Sequence, residues 1–182
     1  MSVASHIRRT IHDGIHTVDD SFVKVKGFFQ QADLSIFHQF SPPPSGGGHQ
    51  FLRAFWHESE LRGLKIENNS ISRTTRACLF NSYNFDEHRL RRLRRSSVIY
   101  VHRVDGPIDI YRGHDYGTDR RIWQLSQEFA DKTIFQSRYS LEKHLTLGME
   151  FKSPVIALNA VDSAIFNSNG RLPFSPDRKI RL

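Results

Sequence analysis

The feature that most constrains the fold is a regular alternation of short apolar segments and amphipathic segments in the second half of the chain. Segment 97–101 is rich in β-branched and aromatic residues, and 133–135 and 154–158 are similar short runs. Helical patterns fill the intervals at 119–130 and 139–147. Strands that alternate with helices of about ten residues form right-handed βαβ units. The pattern therefore predicts an α/β fold, with a parallel sheet covered by helices on both faces.

The first half of the chain continues this pattern less regularly. A short apolar run ends in a loop that contains three prolines and three glycines, and a helix with an apolar face follows. Two more apolar runs and a second helix lead into the regular half. The predicted elements are strands at 34–38, 64–66 and 77–80 and helices at 51–61 and 85–95.

The two ends of the chain lie outside the alternation. Residues 1–30 carry an apolar stripe at helical spacing, which predicts a helix that packs beside the domain or lies on a membrane surface. Asp13, Asp19 and Asp20 dilute its positive charge and favour packing. The predicted organisation is an N-terminal helical extension at 1–30, a domain at 31–166, an interdomain linker at 167–177 and the start of a further domain at 178–182.

Composition and charge narrow the class of protein. Hydrophobic residues make up 38% of the chain, enough for a folded core, and Cys78 is the only cysteine, so no intrachain disulfide can form. No apolar run is long enough to span a bilayer and no signal peptide is recognisable, which predicts a cytoplasmic protein. The net charge of +7 favours binding to anionic partners, so peripheral contact with a membrane is an alternative.

The basic run at 89–95 accounts for much of this charge. It follows Asp86 and Glu87, a distribution typical of an exposed helix with acidic residues first and basic residues last. A basic patch that faces a membrane or an acceptor is the alternative. Nucleic acid is not an expected partner, because the charge is not accompanied by a recognition motif.

Glycines at the predicted start of the first helix form one candidate site. Gly46, Gly47 and Gly48 allow the backbone to approach a phosphate closely, and a helix N-terminus offers free N–H groups and a partial positive charge. The run matches neither the dinucleotide-binding fingerprint nor the P-loop. A flexible connection is the structural alternative.

Polar residues after segment 97–101 form a second candidate site. In open parallel sheets, ligands bind beyond the carboxyl ends of the strands, where His102, Arg103 and Asp105 are expected. A neutral imidazole can hold a sugar hydroxyl by a hydrogen bond, although a lone histidine is often structural. The other histidines lack the spacing of metal ligands, so no metal site is predicted.

Four segments occur in an order and at distances that match one known family. They are the glycine segment 45–49, the histidine segment 101–106, segment 135–137 with its serine before a helix, and segment 155–162 with Phe166. The last is similar to V-I-x-N-G-V-D-x-x-x-F and is the most specific of the four. Together they resemble the N-terminal domain of glycosyltransferase family four, whose members share the two-domain GT-B fold.

The resemblance covers about residues 33–182 and implies the Rossmann-like, acceptor-side half of a retaining hexosyltransferase. Its implied partners are a nucleotide-sugar donor, which acts as co-substrate, and a sugar, glycan or lipid-linked acceptor. It implies neither a cofactor nor a metal. The implied site residues are Gly46, Gly47 and Gly48 for the donor diphosphate, catalytic His102 at the donor sugar, Arg103 and Asp105 with the 107–117 loop for the acceptor, and Asn159 and Asp162 at the interdomain turn.

Two departures from the family pattern shape the functional expectation. Ala160 stands where the pattern has glycine, and the donor-binding half is not among the 182 residues. We therefore expect the chain alone to be inactive in transfer, because only one wall of the nucleotide cleft is present. The alternative function is a non-catalytic fragment that binds a glycan or an anionic surface.

Overall fold

The computed structural model describes residues 31–42, 46–159 and 169 and contains a six-stranded sheet in which every neighbouring pair is parallel. The strand order is β2-β1-β3-β4-β5-β6. The strands are β1 (Leu34–Phe37), β2 (Ile66–Asn68), β3 (Ala77–Asn81), β4 (Ile99–Val104), β5 (Lys132–Phe135) and β6 (Pro154–Ile156). The helices are α1 (Gly47–Leu61), α2 (Glu87–Leu93), α3 (Ile108–Arg112), α4 (Thr118–Phe129) and α5 (Arg138–Thr146). The predicted α/β, Rossmann-like fold is confirmed.

Apolar side chains on both faces of the sheet hold the helices. On one face, Leu52 of α1 packs with Ile36 and Leu79. On the other, Phe80 and its neighbours pack with α2 and α4, where Phe129 is buried. Successive strand residues point to opposite faces, so the mainly apolar composition of β1 and β3, interrupted only by Ser35 and Asn81, is the pattern expected for burial on both sides.

The strand order reverses once, between β1 and β3. The chain leaves β1 to form β2 on one side of it and then crosses to form β3 on the other side. The connections that follow β1 and β3 therefore diverge at the carboxyl edge of the sheet, and such a reversal leaves a crevice that is the usual ligand position in open parallel sheets. Helix α1 begins at this crevice.

Strand β4 differs from its predicted bounds in a way that matters for the site. The segment predicted at 97–101 begins instead at Ile99, because a turn closes before it through the Val98 N–H to the Arg95 carbonyl. The strand then continues to Val104, so His102 and Arg103 lie within it rather than after it. The short prediction is wrong because polar residues inside the strand were taken as its end.

Other predicted elements are present with shifted ends. The strand predicted at 64–66 begins at Ile66, and the helix predicted at 85–95 is α2, where the Asp86 carboxylate accepts a hydrogen bond from the Arg89 N–H at 2.9 Å. The predicted extension at 1–30, the linker at 167–177 apart from residue 169, and the segment 178–182 lie outside the described residues. No helix in the described ranges is long and apolar enough to cross a membrane.

Candidate functional site

The first turn of α1 lies at the carboxyl edge of the sheet and carries no side-chain cap. Gly46 is the N-cap residue in an extended conformation, and no acidic residue follows it in the first turn. A serine, threonine or aspartate at this position would satisfy one of the free N–H groups, whereas glycine leaves them to another partner. The turn thus keeps hydrogen-bond donors and a partial positive charge available for an anion.

Asn81, the last residue of β3, lies directly beside this turn. A Cβ atom added to Gly48 would be 3.0 Å from Asn81 Nδ2, so glycine is what lets the helix approach the carboxamide so closely. Asn81 is 2% exposed, and its Nδ2 faces the first turn of α1. The carboxamide thus lies beside the N–H groups of the helix.

Arg103 brings a positive charge to the same place from β4. It pairs in register with Asn81, and its Nη1 donates to Asn81 Oδ1 at 2.9 Å. Its guanidinium also lies over the ring of Phe51 of α1, 4.3 Å from the ring centroid, and the side chain is 3% exposed. A guanidinium keeps its charge in proteins, so this buried cation needs an anionic partner.

Asp105 is that partner. Its carboxylate is 2.8 Å from Arg103 Nη1, and the Asp105 side chain remains 35% exposed. Arg103 Nη2 makes a longer contact, 3.5 Å, with Gln136 Oε1, which also accepts a hydrogen bond from Asn159 Nδ2 at 2.8 Å. The network thus joins the ends of β3, β4, β5 and β6 along one edge of the sheet.

His102 lies at the same end of the sheet but on the face opposite α1. Its ring stacks on Phe80 with centroids 4.4 Å apart, Nε2 is 2.9 Å from the Ser82 carbonyl oxygen, and the side chain is fully buried. Burial lowers the pKa of His102 to about 3, with a smaller effect of His144 in the same direction, so the imidazole is neutral. His102 and the glycine turn therefore share the carboxyl end of the sheet but lie on different faces, because neighbouring residues of β4 point to opposite faces.

A histidine pair fixes the other side of the glycine turn. His38, which follows β1, is fully buried, and its Nε2 lies 3.0 Å from Nδ1 of His49 in α1. Burial, followed by the nearby His49, lowers the pKa of His38 to about 4. A neutral His38 can donate from Nε2 to His49, so the pair ties the end of β1 to the start of α1.

The structure brings together most of the residues singled out in the sequence. Gly48, Arg103, Asp105 and Asn159 belong to one connected edge, whereas His102 lies apart and Asp162 lies outside the described residues. Sequence reasoning missed Asn81. The signal for it was a polar residue directly after the apolar run 77–80, which is the position that faces a ligand in a parallel sheet.

No metal site accompanies this arrangement in the described part of the chain, where no group of three or more His, Cys, Asp or Glu side chains could hold an ion. The donors present are instead suited to an anion with several oxygens. Comparison of the chain with protein-family models, with curated proteins and with solved structures gives no match.

Proposed function

We propose that this chain is the acceptor-side half of a retaining, GT-B type glycosyltransferase that moves a hexose from a nucleotide sugar to a sugar-containing or lipid-linked acceptor. The observation that carries the proposal is the position of Asn81 and Arg103 beside the uncapped glycine turn of α1. Backbone N–H groups and an amide can bind several oxygens of one anion, as a diphosphate requires, and the Arg103 guanidinium behind them adds positive charge.

The same groups suit the chemistry of transfer. When the bond between the anomeric carbon and the diphosphate oxygen breaks, the leaving diphosphate gains negative charge. A helix N-terminus and a fixed guanidinium stabilise such charge without reorganising, so the scheme uses the nucleotide sugar as co-substrate and requires neither a cofactor nor a metal. The sequence resemblance assigns the same step to Gly46, Gly47 and Gly48.

The geometry favours one change in the roles that the resemblance implies. Arg103 contacts Asn81 beneath the glycine turn, so we assign it to the donor diphosphate rather than to the acceptor. Asp105 is partly exposed and is the better group for an acceptor hydroxyl. A contact between His102 and the donor sugar would require the imidazole to leave its stack on Phe80, and the catalytic role of His102 remains a prediction.

We expect Gly47→Ala to weaken phosphate binding about tenfold, because a methyl group would occupy the space into which a phosphate approaches. Nothing lies within 4 Å of the added Cβ, so the fold should tolerate it. Arg103→Met should weaken binding at least as much by removing the charge. The measurement is a titration of the chain with inorganic pyrophosphate, followed by the amide NMR shifts of residues 46–49.

The matched control is Arg62→Met, which removes an exposed arginine at the far end of α1. It should leave the pyrophosphate affinity unchanged within about twofold, since exposed charges at this distance are screened. Equal weakening by Arg103→Met and Arg62→Met would contradict a specific site, and so would an absence of shifts at 46–49.

We expect the 182-residue chain alone to release no nucleotide above background from a panel of UDP-, GDP- and ADP-sugars. The reason is that one wall of a cleft leaves the diphosphate open to water, which weakens each remaining electrostatic contact. A protein in which this domain is joined to a donor-binding domain should release nucleotide. Turnover by the 182-residue chain would contradict this division of labour, and pyrophosphate binding without turnover by the two-domain protein would favour the non-catalytic alternative.

A further inference from the structure

Part of one sheet face has none of the described helices packed on it. The register places Ile99 and Val101 of β4, Ile134 of β5 and Val155 of β6 on the face that α1 covers at β1 and β3. Ile99 is 50% exposed and Val155 is 49% exposed, and the other two side chains are partly buried. We call the surface formed by these four apolar residues the open face.

The topology explains why the connections of the sheet do not cover the open face. The chain passes from β3 to β4, β5 and β6 in one direction across the sheet. Right-handed crossovers that run in one direction place their helices on one face. That face is the opposite one, where α2 and α4 pack around Phe80 and where Leu141 of α5 packs near Phe135. Because parallel sheets are normally buried on both faces, a segment outside the six-stranded unit is expected to cover the open face.

The segment that precedes β1 has the sequence pattern that this position requires. An apolar stripe at helical spacing runs through residues 7–22 and consists of Ile7, Ile11, Ile15, Val18 and Phe22. A helix over this range would be about 24 Å long. Strand β4 has six residues and is about 20 Å long. The stripe therefore matches the open face in length and in apolar character.

The connection from residue 22 to β1 is long enough to reach the open face. Asp33 enters β1 at the amino edge of the sheet, where its N–H donates to the Lys65 carbonyl oxygen at 2.8 Å. Strands β4 and β5 lie two and three strands from β1, about 10–14 Å at the usual spacing. Residues 23–32 can span about 33 Å when extended.

The charges also fit. Lys132 is exposed at the amino end of β5 and shares the face of Val101. A segment that runs from the carboxyl edge to the amino edge needs the shortest connection to β1. That direction brings Asp19, near the end of the stripe, toward the Lys132 ammonium group.

We infer that segment 7–22 docks as a helix on the open face, with its apolar stripe against the sheet. The occupant is this part of the chain rather than a second copy, because its pattern, its reach and its charge fit the face without an additional partner. The inference is independent of the proposed function, since neither the glycine turn of α1 nor Asp105 takes part in it.

Hydroxyl-radical footprinting of the 182-residue chain measures the exposure of individual side chains. Leu145 is the internal reference, because it lies in α5 on the other side of the sheet and is 47% exposed, close to the values for Ile99 and Val155. We expect Ile99 and Val155 to be modified about threefold more slowly than Leu145, or more slowly still, after correction for the intrinsic reactivity of each residue type. Equal modification of the three side chains would overturn the inference.

The double variant Ile11→Asp/Ile15→Asp places two charges in the stripe. It should raise the modification of the two open-face side chains to that of the reference. His16→Asp is the matched control, because position 16 lies on the opposite side of a helix from the stripe, and it should leave the protection unchanged. Ile122 is 2% exposed, and its continued protection in each variant reports that the sheet and its helices are folded.

Two further outcomes would overturn the inference. Protection that persists in the double variant would mean that another part of the chain covers the open face. Protection of the wild type that is lost on roughly hundredfold dilution would identify a second copy as the occupant, because only association between chains depends on concentration. The wild-type rates and the dilution decide the inference even if the double variant does not fold.

Discussion

Replacing Phe80 by alanine should lower the free energy of unfolding by about 3–5 kcal/mol, the usual cost of removing a buried aromatic ring. Phe80 is fully buried in β3, and its ring contacts Phe85 at 5.0 Å, His102 at 4.4 Å and Phe129 at 6.2 Å between centroids. These partners lie in β4, in α4 and in the connection between β3 and α2. The replacement leaves a cavity in the core. The surrounding backbone cannot move in to fill it without breaking the hydrogen bonds between the parallel strands.

Equilibrium urea unfolding, followed by far-UV circular dichroism, measures this change. The control is Leu61→Ala at the end of α1, where the side chain is 69% exposed, and it should change the free energy of unfolding by less than about 0.5 kcal/mol. A loss below about 1 kcal/mol for Phe80→Ala would mean that the ring is not held between the sheet and its helices.

The sheet could be predicted from the sequence because its signal is local. The β-branched and aromatic run at 97–101 and the apolar runs at 77–80 and 133–135 each lie within a strand or overlap one, and the helical segments between them fix the parallel connection. Strand order is not local. The reversal between β1 and β3 depends on which edges remain free after the first pairing, and no residue pattern specifies this.

The end of β4 shows where local reasoning failed. The polar residues His102 and Arg103 were predicted to begin a loop. In the structure His102 is buried against Phe80 and Arg103 against Phe51. A buried imidazole or guanidinium is costly unless it has hydrogen-bond partners. Here the end of β3 supplies them, through the Ser82 carbonyl for His102 and the Asn81 side chain for Arg103. Those partners become visible only when the strands are placed in register.

The candidate site also has one part that could be predicted from the sequence and one part that could not. A glycine run before a helix indicates a close backbone approach, so the uncapped glycine turn at the start of α1, which we propose binds phosphate, could be predicted without coordinates. The grouping of Asn81 with Arg103 could not, because the two residues meet through the β3–β4 register.

Acid should destabilise this domain steeply between about pH 6.5 and pH 4.5, because three imidazoles are buried in the neutral form. His38, His102 and His144 are fully buried. Burial lowers the pKa of His102 to about 3 and that of His38 to about 4, and it is also the main cause that lowers the pKa of His144. Each group takes up a proton in the unfolded chain at a higher pH than in the folded one.

Proton linkage determines in which direction the free energy of unfolding changes with pH. A histidine with a lowered pKa in the folded state binds more protons when unfolded, so its contribution to stability is complete above the unfolded pKa near 6.5. That contribution is lost as the pH falls toward the folded pKa, by about 1.4 kcal/mol per pH unit for each such group well below pH 6.5. Carboxylates with lowered pKa values, such as Asp109, act in the same direction only at lower pH.

His102→Phe isolates one of the three groups, because phenylalanine can keep the stack on Phe80 and does not titrate. Urea unfolding at pH 7 and pH 5 should show that this variant loses roughly 2 kcal/mol less than the wild type between the two conditions. The control is His57→Gln on α1, an exposed side chain, which should follow the wild type. The comparison uses the change with pH within each protein, so a different starting stability of the variant does not affect it.

If His102→Phe and the wild type lose stability in parallel, the imidazole of His102 reaches solvent or a proton donor in the folded protein. That result would also restore it as a group able to touch a sugar.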